Sequence, residues 1–138
     1  MHNVVYSDQK ALPDLPLRDL FWAVGWSDGT ETPEMLQVFA RPFRNSTFVF
    51  TAWDEGKLIG CVRVLSDRMF RAVIYDLAVH PDYQHQGIGK ELLHRCVAQC
   101  PNAEWLVQTE PHIADFYEKQ GFDRMKKDVF LHIPSKWF

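Results

Sequence analysis

Two glycines separated by one residue, Gly87 and Gly89, open a stretch in which Ile88, Leu92, Leu93, Cys96 and Val97 recur at helical spacing. Glycine there lets successive backbone N–H groups converge without side-chain obstruction, and a helix N-terminus adds partial positive charge. Such a place holds a phosphate. Two familiar phosphate loops do not fit. A Walker A loop needs Gly, four residues and then Gly-Lys-Ser/Thr, whereas Lys90 is followed by Glu91. A dinucleotide fingerprint needs a third glycine where Leu92 stands.

These groups need elements to position them. The chain opens with an expected strand at Asn3–Ser7, Pro13 and Pro16 mark a turn, and Leu17, Leu20, Phe21 and Val24 predict a helix closed at Gly25. After the loop Trp26–Glu31, Thr32 as N-cap and Pro33 in the first helical position open a second helix. It carries Leu36, Phe39 and Ala40 on one face and is expected to stop at Pro42. From Thr47 the period changes to that of strands: Thr47–Trp53 and Leu58–Leu65 form a hairpin about Asp54-Glu55-Gly56-Lys57, and Arg71–His80 is a third strand. The glycine-led helix follows, then a strand at Glu104–Thr109 and a helix at Ile113–Gln120 ended by Gly121. A short strand near Phe122 and a last one at Asp128–Ile133 complete the expected order. The strand–helix–strand unit in the middle requires parallel neighbours, so the fold class is α/β, with a mixed α+β sheet.

The chain has 138 residues, 46% hydrophobic and 24% charged, and without repeats or low-complexity tracts it reads as a single domain over 1–138. Its apolar runs, such as Phe48–Phe50 and Leu77–Val79, fall far short of the roughly 20 residues that cross a bilayer. Met1 to Lys10 lack the apolar centre of a secretory signal, which points to a cytoplasmic location and no membrane. Fifteen basic against 18 acidic residues, a formal charge of −3, disfavour nucleic acid as a partner. The one basic cluster, Arg124, Lys126 and Lys127, is diluted by Asp123 and Asp128 and reads as a solvated turn. Aromatic residues at 14% imply a bulky core, an apolar ligand channel, or both. Cys61, Cys96 and Cys100 form neither a disulfide framework nor a zinc spacing, and the histidines are scattered, so no metal is expected.

The segment Gln84-His85-Gln86-Gly87-Ile88-Gly89 matches the pattern Gln/Arg-x-x-Gly-x-Gly/Ala and follows a strand ending Leu77-Ala78-Val79-His80-Pro81. It resembles the acetyl-CoA loop of the GNAT superfamily of N-acetyltransferases. Phe116-Tyr117-Glu118-Lys119-Gln120-Gly121-Phe122 is similar to that family's Tyr-x-x-x-Gly-Phe segment. With the paired helices after the first strand and the hairpin before the loop, the resemblance covers nearly the whole chain. It implies the GNAT acyl-CoA N-acyltransferase fold, a central, mostly antiparallel sheet with a parallel splayed strand pair and flanking helices.

The resemblance also implies acetyl-CoA as co-substrate and no metal. Backbone amides across Gln86–Lys90 would hold the pyrophosphate, with Gln84 and His85 in the same loop, Ile88 between the glycines, and His85 and Lys90 able to add side-chain contacts. Leu77 and Val79, with Ala78 between them, would present main-chain groups to the pantetheine arm where two parallel strands part. Tyr117 matches the position that in many relatives protonates the departing thiolate, after direct attack by an amine without a covalent enzyme intermediate. The base is less plain. Some relatives carry basic side chains where this chain has Val73 and Tyr75, which share one face of the strand, with Ile74 and Asp76 on the other. Asp76 serves as base or orienting acid only if a bulge turns it inward; otherwise it pairs with a neighbouring strand or loop, and ordered water can take the proton. Many relatives have an Asn that touches pantetheine where this chain reads Thr109-Glu110-Pro111-His112; here Glu110 or His112 either faces the acceptor or caps the helix that Pro111 begins.

The stretch Trp22 through Phe43 corresponds to the family's acceptor wall. Trp22, Trp26, Phe39 and Phe43 with Asp28, Glu31 and Glu34 suit an alkyl or arylalkyl amine, and equally suit an amphipathic helix pair with solvated acids. The expected substrate residues are Trp26, Tyr75, Asp76 and Glu110. The leading expectation is an acetyl-CoA-dependent transfer to a primary amine of a small molecule. A protein or lysine acetyltransferase, a non-catalytic acyl-CoA-binding regulatory module and a nucleotide-binding protein stand as alternatives. Relatives often pair through the last strands or a sheet edge, which implies a homodimer, with Trp137 and Phe138 offering apolar surface.

Overall fold

The computed structural model describes residues 3–137, and Phe138 lies outside them. They fall into two compact units, one ending at Gln108 and the other beginning at Thr109. The first unit runs β1 (Val4–Ser7), α1 (Asp14–Ala23), α2 (Pro33–Phe39), α3 (Arg41–Arg44), β2 (Phe48–Asp54), β3 (Lys57–Ser66), β4 (Arg71–Val79), α4 (Ile88–Val97) and β5 (Glu104–Val107). The second holds one 3-10 turn, Pro111–Ile113, and α5 (Ala114–Lys119).

The strands form one sheet in the order β1-β2-β3-β4-β5. The first three pairings are antiparallel and β4–β5 is parallel, as the central strand–helix–strand unit requires. Parallel pairing runs from Arg71↔Glu104 to Ile74↔Val107 and stops, while β4 continues to Val79. Tyr75 to Val79 therefore extend past the end of β5 at Val107 and have no parallel partner in the sheet.

Local chemistry sets the turns. Between β2 and β3, Glu55 and Gly56 both take positive φ, +47° and +81°, the conformation of a tight hairpin whose twist matches its strands. Thr32 caps α2 by accepting from the Met35 N–H at 3.3 Å, and Pro33 occupies the first turn, where its missing N–H costs nothing. α1 ends as expected, with Gly25 at φ +86° donating its N–H to the Trp22 carbonyl at 3.1 Å.

The sheet is covered on both faces. On one, Leu17 and Leu20 of α1 and Phe43 of α3 pack with Val49, Leu58, Cys61 and Ala78, flanked by Phe21, Val24, Phe39 and Trp53. Truncating a fully buried leucine such as Leu17 to alanine costs about 2–5 kcal/mol in a core of this kind. On the other face α4 presses so closely that a Cβ on Gly60 would stand 3.1 Å from Leu92 Cδ1 and 3.3 Å from Ile88 Cγ2.

Two expectations need correction. Pro42 does not end the second helix: α2 stops at Phe39, and Pro42 lies in the first turn of α3, where proline is tolerated. The strands expected near Phe122 and at Asp128–Ile133 are not formed. Val129, Phe130, Leu131 and Ile133 are exposed, and no strand of the sheet pairs with them. Strand propensity expresses itself only when a partner supplies the ladder and a buried face, so an apolar segment without one stays irregular.

Candidate functional site

The loop between β4 and α4 is built to leave backbone N–H groups exposed. β4 ends at Val79; Pro81–Tyr83 form a single 3-10 turn whose Asp82 N–H is taken by His80 Nδ1 at 3.1 Å. The chain then reverses through His85 at φ +63° and Gly87 at φ +83°. Gly87 is the N-cap of α4 and provides no side-chain cap, and a Cβ there would meet nothing within 4 Å. The N–H groups of Gly87, Ile88, Gly89 and Lys90 have no acceptor among the described residues. A helix start with such uncommitted donors attracts an anion. Ile88 is buried against the sheet and anchors the helix, whereas Gln84, His85, Gln86 and Lys90 are exposed.

Tyr83 ties this loop to the rest of the sheet. Its hydroxyl donates to Asp54 Oδ2 at 2.7 Å, Lys57 lies over its ring at 5.8 Å and His80 meets it edge-on at 5.8 Å. The bond to Asp54, with some burial, holds the phenol above its ordinary pKa. Tyr83 thus links the loop to the two residues that flank the β2–β3 turn. Nothing in the motif announced Tyr83; the aromatic three residues past a strand end was its only signal.

Of the residues expected to face pantetheine, Leu77 is half-buried and Ala78 is buried in the core, opposite Cys61. The Val79 carbonyl accepts from Gln84 Nε2 at 3.0 Å, so that main-chain group is engaged by the loop itself.

A bulge lies at Asp76, and the carboxylate pairs with the neighbouring strand. The β3–β4 register shifts between Cys61↔Ala78 and Arg63↔Tyr75, so two residues, Asp76 and Leu77, oppose Val62 alone. Asp76 takes φ +55°, which departs from regular strand alternation. Its carboxylate is brought to Arg63, whose Nε donates to Oδ2 at 2.6 Å, and its carbonyl accepts from Cys61 Sγ at 3.3 Å. The Arg63 guanidinium stands 5.1 Å from the Tyr75 ring and 6.0 Å from the Phe43 ring. Tyr75 and Asp76, expected on opposite faces, thus share one cationic partner. Arg63 was missed in the sequence, where its signal was a lone charge inside the apolar run Leu58–Leu65.

On the helical wall, Trp26 is exposed and packs obliquely on Phe21 at 5.4 Å, and Phe21 in turn meets Phe39 and Phe43. Trp22 is exposed with Arg18 over its ring at 5.6 Å. Ser27 donates to Glu31 Oε1, and Glu31 Oε2 is buried with no partner among the described residues.

In the second unit Tyr117 is buried, held edge-on by Phe116 at 5.1 Å and Phe122 at 5.6 Å. Its carbonyl accepts the N–H groups of Gln120 and Phe122, which turns the chain back through Gly121 at φ +99°. Glu110 and His112 are exposed and 3.4 Å apart, and the Glu110 side chain does not cap the turn that Pro111 begins. Arg124 is paired with Asp115 and Glu118 at 3.1 and 2.8 Å. All three cysteines are free and buried. Burial pushes the Cys96 thiol up to about 12 and raises that of Cys61 further, with the charge of Asp76 adding to the latter. Among the described residues no group of His, Cys, Asp and Glu is arranged to hold a metal ion, and no helix is long and apolar enough to cross a membrane.

Comparison with known proteins gives concordant matches. A family model described as an acetyltransferase (GNAT) domain matches residues 45–124, more than half of the chain. The N-acetyltransferase ycf52 of Pyropia yezoensis is 31% identical over 127 residues, spanning 87% of this chain and 70% of its own. A GNAT family acetyltransferase from Streptococcus pneumoniae TIGR4 superposes with a TM-score of 0.75 at 25% identity, over 94% of this chain and 98% of that one. An aminoglycoside acetyltransferase from an uncultured soil metagenomic sample, solved with sisomicin, gives a TM-score of 0.69 at 26% identity over 97% and 96% of the two chains.

Proposed function

Because the chain belongs to the GNAT family of acetyltransferases and is an enzyme of that kind, we propose that it moves an acetyl group from acetyl-CoA to a primary amine of a small molecule. One observation carries this reading. β4 runs on beyond Ile74, its last residue paired with β5, and leads directly into a loop whose four successive N–H groups, Gly87 to Lys90, have no described acceptor. The end of β4 beyond its pairing with β5, with Leu77, Ala78 and Val79, suits the pantetheine arm, and the loop, from Gln84 through Lys90, suits the pyrophosphate. With a formal charge of −3 the chain has little positive surface to spare, so backbone amides are the economical way to hold an anionic cofactor.

In the proposed mechanism the neutral amine attacks the thioester carbonyl carbon, the tetrahedral intermediate collapses, and the carbon–sulfur bond breaks. Tyr117 gives its phenolic proton to the thiolate, and the proton shed by the amine leaves through ordered water or Asp76. Trp26, Tyr75, Asp76 and Glu110 are assigned to the acceptor. The match to an aminoglycoside acetyltransferase solved with sisomicin supports an amine of low molecular weight. The same reading takes 1–138 as one catalytic domain, acting in the cytoplasm as a homodimer, with the exposed Trp137 and the preceding apolar segment available for pairing.

The test is acetyl-CoA with a mixed panel of polyamines, arylalkylamines, aminoglycosides and lysine peptides, products read by mass spectrometry. Acetylation of a small amine is the expected result. Acetyl-CoA binding without transfer to any member would reject catalysis, transfer to peptides alone would reject the small acceptor, and tighter binding of ATP or NAD would reject the cofactor. Sedimentation at micromolar concentration checks the dimer; a monomer throughout would count against it.

A further inference from the structure

We infer that Arg63 is a positioning residue of the acceptor site: it pins the Asp76 carboxylate so that the enzyme takes its acceptor as an alkylammonium in preference to a neutral arylamine. The inference rests on the proposed function, because it needs acyl-CoA beside the end of β4.

Asp76 is held from two sides. Arg63 Nε donates to Oδ2 at 2.6 Å, and Cys61 Sγ donates to the carbonyl of the same residue at 3.3 Å. Its φ of +55° is a conformation that glycine adopts without strain, so what aspartate adds at this bulge is the carboxylate. One oxygen is committed to Arg63. The other has no partner among the described residues, and the side chain is 35% exposed. Ile74 is the last β4 residue paired with β5, so Asp76 stands two residues past the end of the parallel pairing, on the stretch of β4 beside which the proposed function seats the thioester.

The positive charge of Arg63 offsets part of this attraction without removing the hydrogen-bond acceptor. It is spread over a planar group that stands 5.1 Å from the Tyr75 ring and 6.0 Å from the Phe43 ring, and its side chain is only 19% exposed. The localised charge open to solvent is the second carboxylate oxygen of Asp76. Tyr75, 41% exposed, offers a ring edge and a phenol beside it. An ammonium gains a charge-assisted hydrogen bond there, and an uncharged arylamine gains only a neutral one.

The experiment compares wild type, Arg63→Gln, Arg63→Lys, Asp76→Asn and the double variant with an alkylamine and an arylamine, recording KM for each amine, KM for acetyl-CoA, and melting temperature. Arg63→Gln and Asp76→Asn are each expected to raise the alkylamine KM about tenfold while the acetyl-CoA KM stays within about twofold. The preference for alkylamine over arylamine falls in step, the double variant is no worse than the worse single one, and Arg63→Lys recovers part of the loss. Equal rises in both Michaelis constants, or a lower melting temperature with amine preference intact, would make the pair a strut of the sheet and overturn the inference. Should Arg63→Gln not fold, wild type decides: the same KM for both amines overturns it. A wild-type enzyme that acetylates no amine sinks the proposed function and this inference together; an active wild type with an unchanged alkylamine KM in Arg63→Gln sinks the inference alone.

Discussion

Gly87 and Asp76 lie on the same strand–loop–helix run, and both take left-handed backbone conformations, φ +83° and +55°, for opposite purposes. At Gly87 the side chain is absent and the main chain is what a ligand would meet, with four N–H donors left open behind it. At Asp76 the backbone bends in order to aim a side chain, and Arg63 from the adjacent strand fixes where it points. On the proposed function, one region would bind through peptide groups and the other through paired charges. The difference teaches where each is vulnerable: the first to any change that alters φ, the second to any change that alters register or charge.

The comparison can be broken hardest at the residue belonging to neither region. Tyr117→Phe should lower turnover about 100-fold, the middle of the range for a lost general acid, with the acetyl-CoA dissociation constant unchanged. Steady-state kinetics with calorimetric binding checks it, and unaltered turnover across pH removes the proposed role. Next in size, Gly87→Val should weaken acetyl-CoA binding about tenfold, because a β-branched residue resists positive φ at a cost of about 1–2 kcal/mol. Lys90→Ala and His85→Ala should each cost less than about threefold, as for solvated surface charges. If the two alanine variants lose more than Gly87→Val, the cofactor is held by side chains and the contrast fails.

Smaller effects sharpen the frame around both regions. Tyr83→Phe removes the 2.7 Å bond to Asp54 and should cost about 1 kcal/mol, seen as a melting temperature lower by about 2–5 °C. Acetyl-CoA affinity should fall with it only if the β2–β3 turn sets the height of the loop. Smallest is the response to alkali. The folded thiols of Cys61 and Cys96 titrate above the ordinary value of 9.0, so the unfolded chain loses their protons first as pH rises. Their contribution to stability is whole below about pH 9 and declines as the pH climbs toward 12, measurable as a falling urea midpoint. A midpoint that rises over this range contradicts the burial of Cys61 beneath the Arg63–Asp76 pair.

The same contrast explains what was legible in the chain. The helix start at Gly87 was readable because a turn at positive φ favours glycine, and the turn at Glu55-Gly56 for the same reason. The parallel β4–β5 pair followed from the length of its helical crossover. Asp76 was readable only conditionally, since side-chain direction depends on a bulge that no residue type encodes. Arg63, thirteen residues away, was not readable as its partner at all. The strands expected near Phe122 and at Asp128–Ile133 failed for a related reason: an apolar alternation carries its own propensity but not the strand it would pair with. Pro42 misled because a proline that ends one helix is also welcome at the start of the next.

The thirteen-residue separation of Arg63 and Asp76 also dictates an order of assembly. Both lie in a single antiparallel hairpin, whose closure costs little chain entropy and takes microseconds. The parallel pairing of β4 with β5 forms only after the crossover through α4 has returned a strand to the sheet. A chain leaving the ribosome can therefore set this ion pair before the strand that pairs in parallel with β4 has joined the sheet.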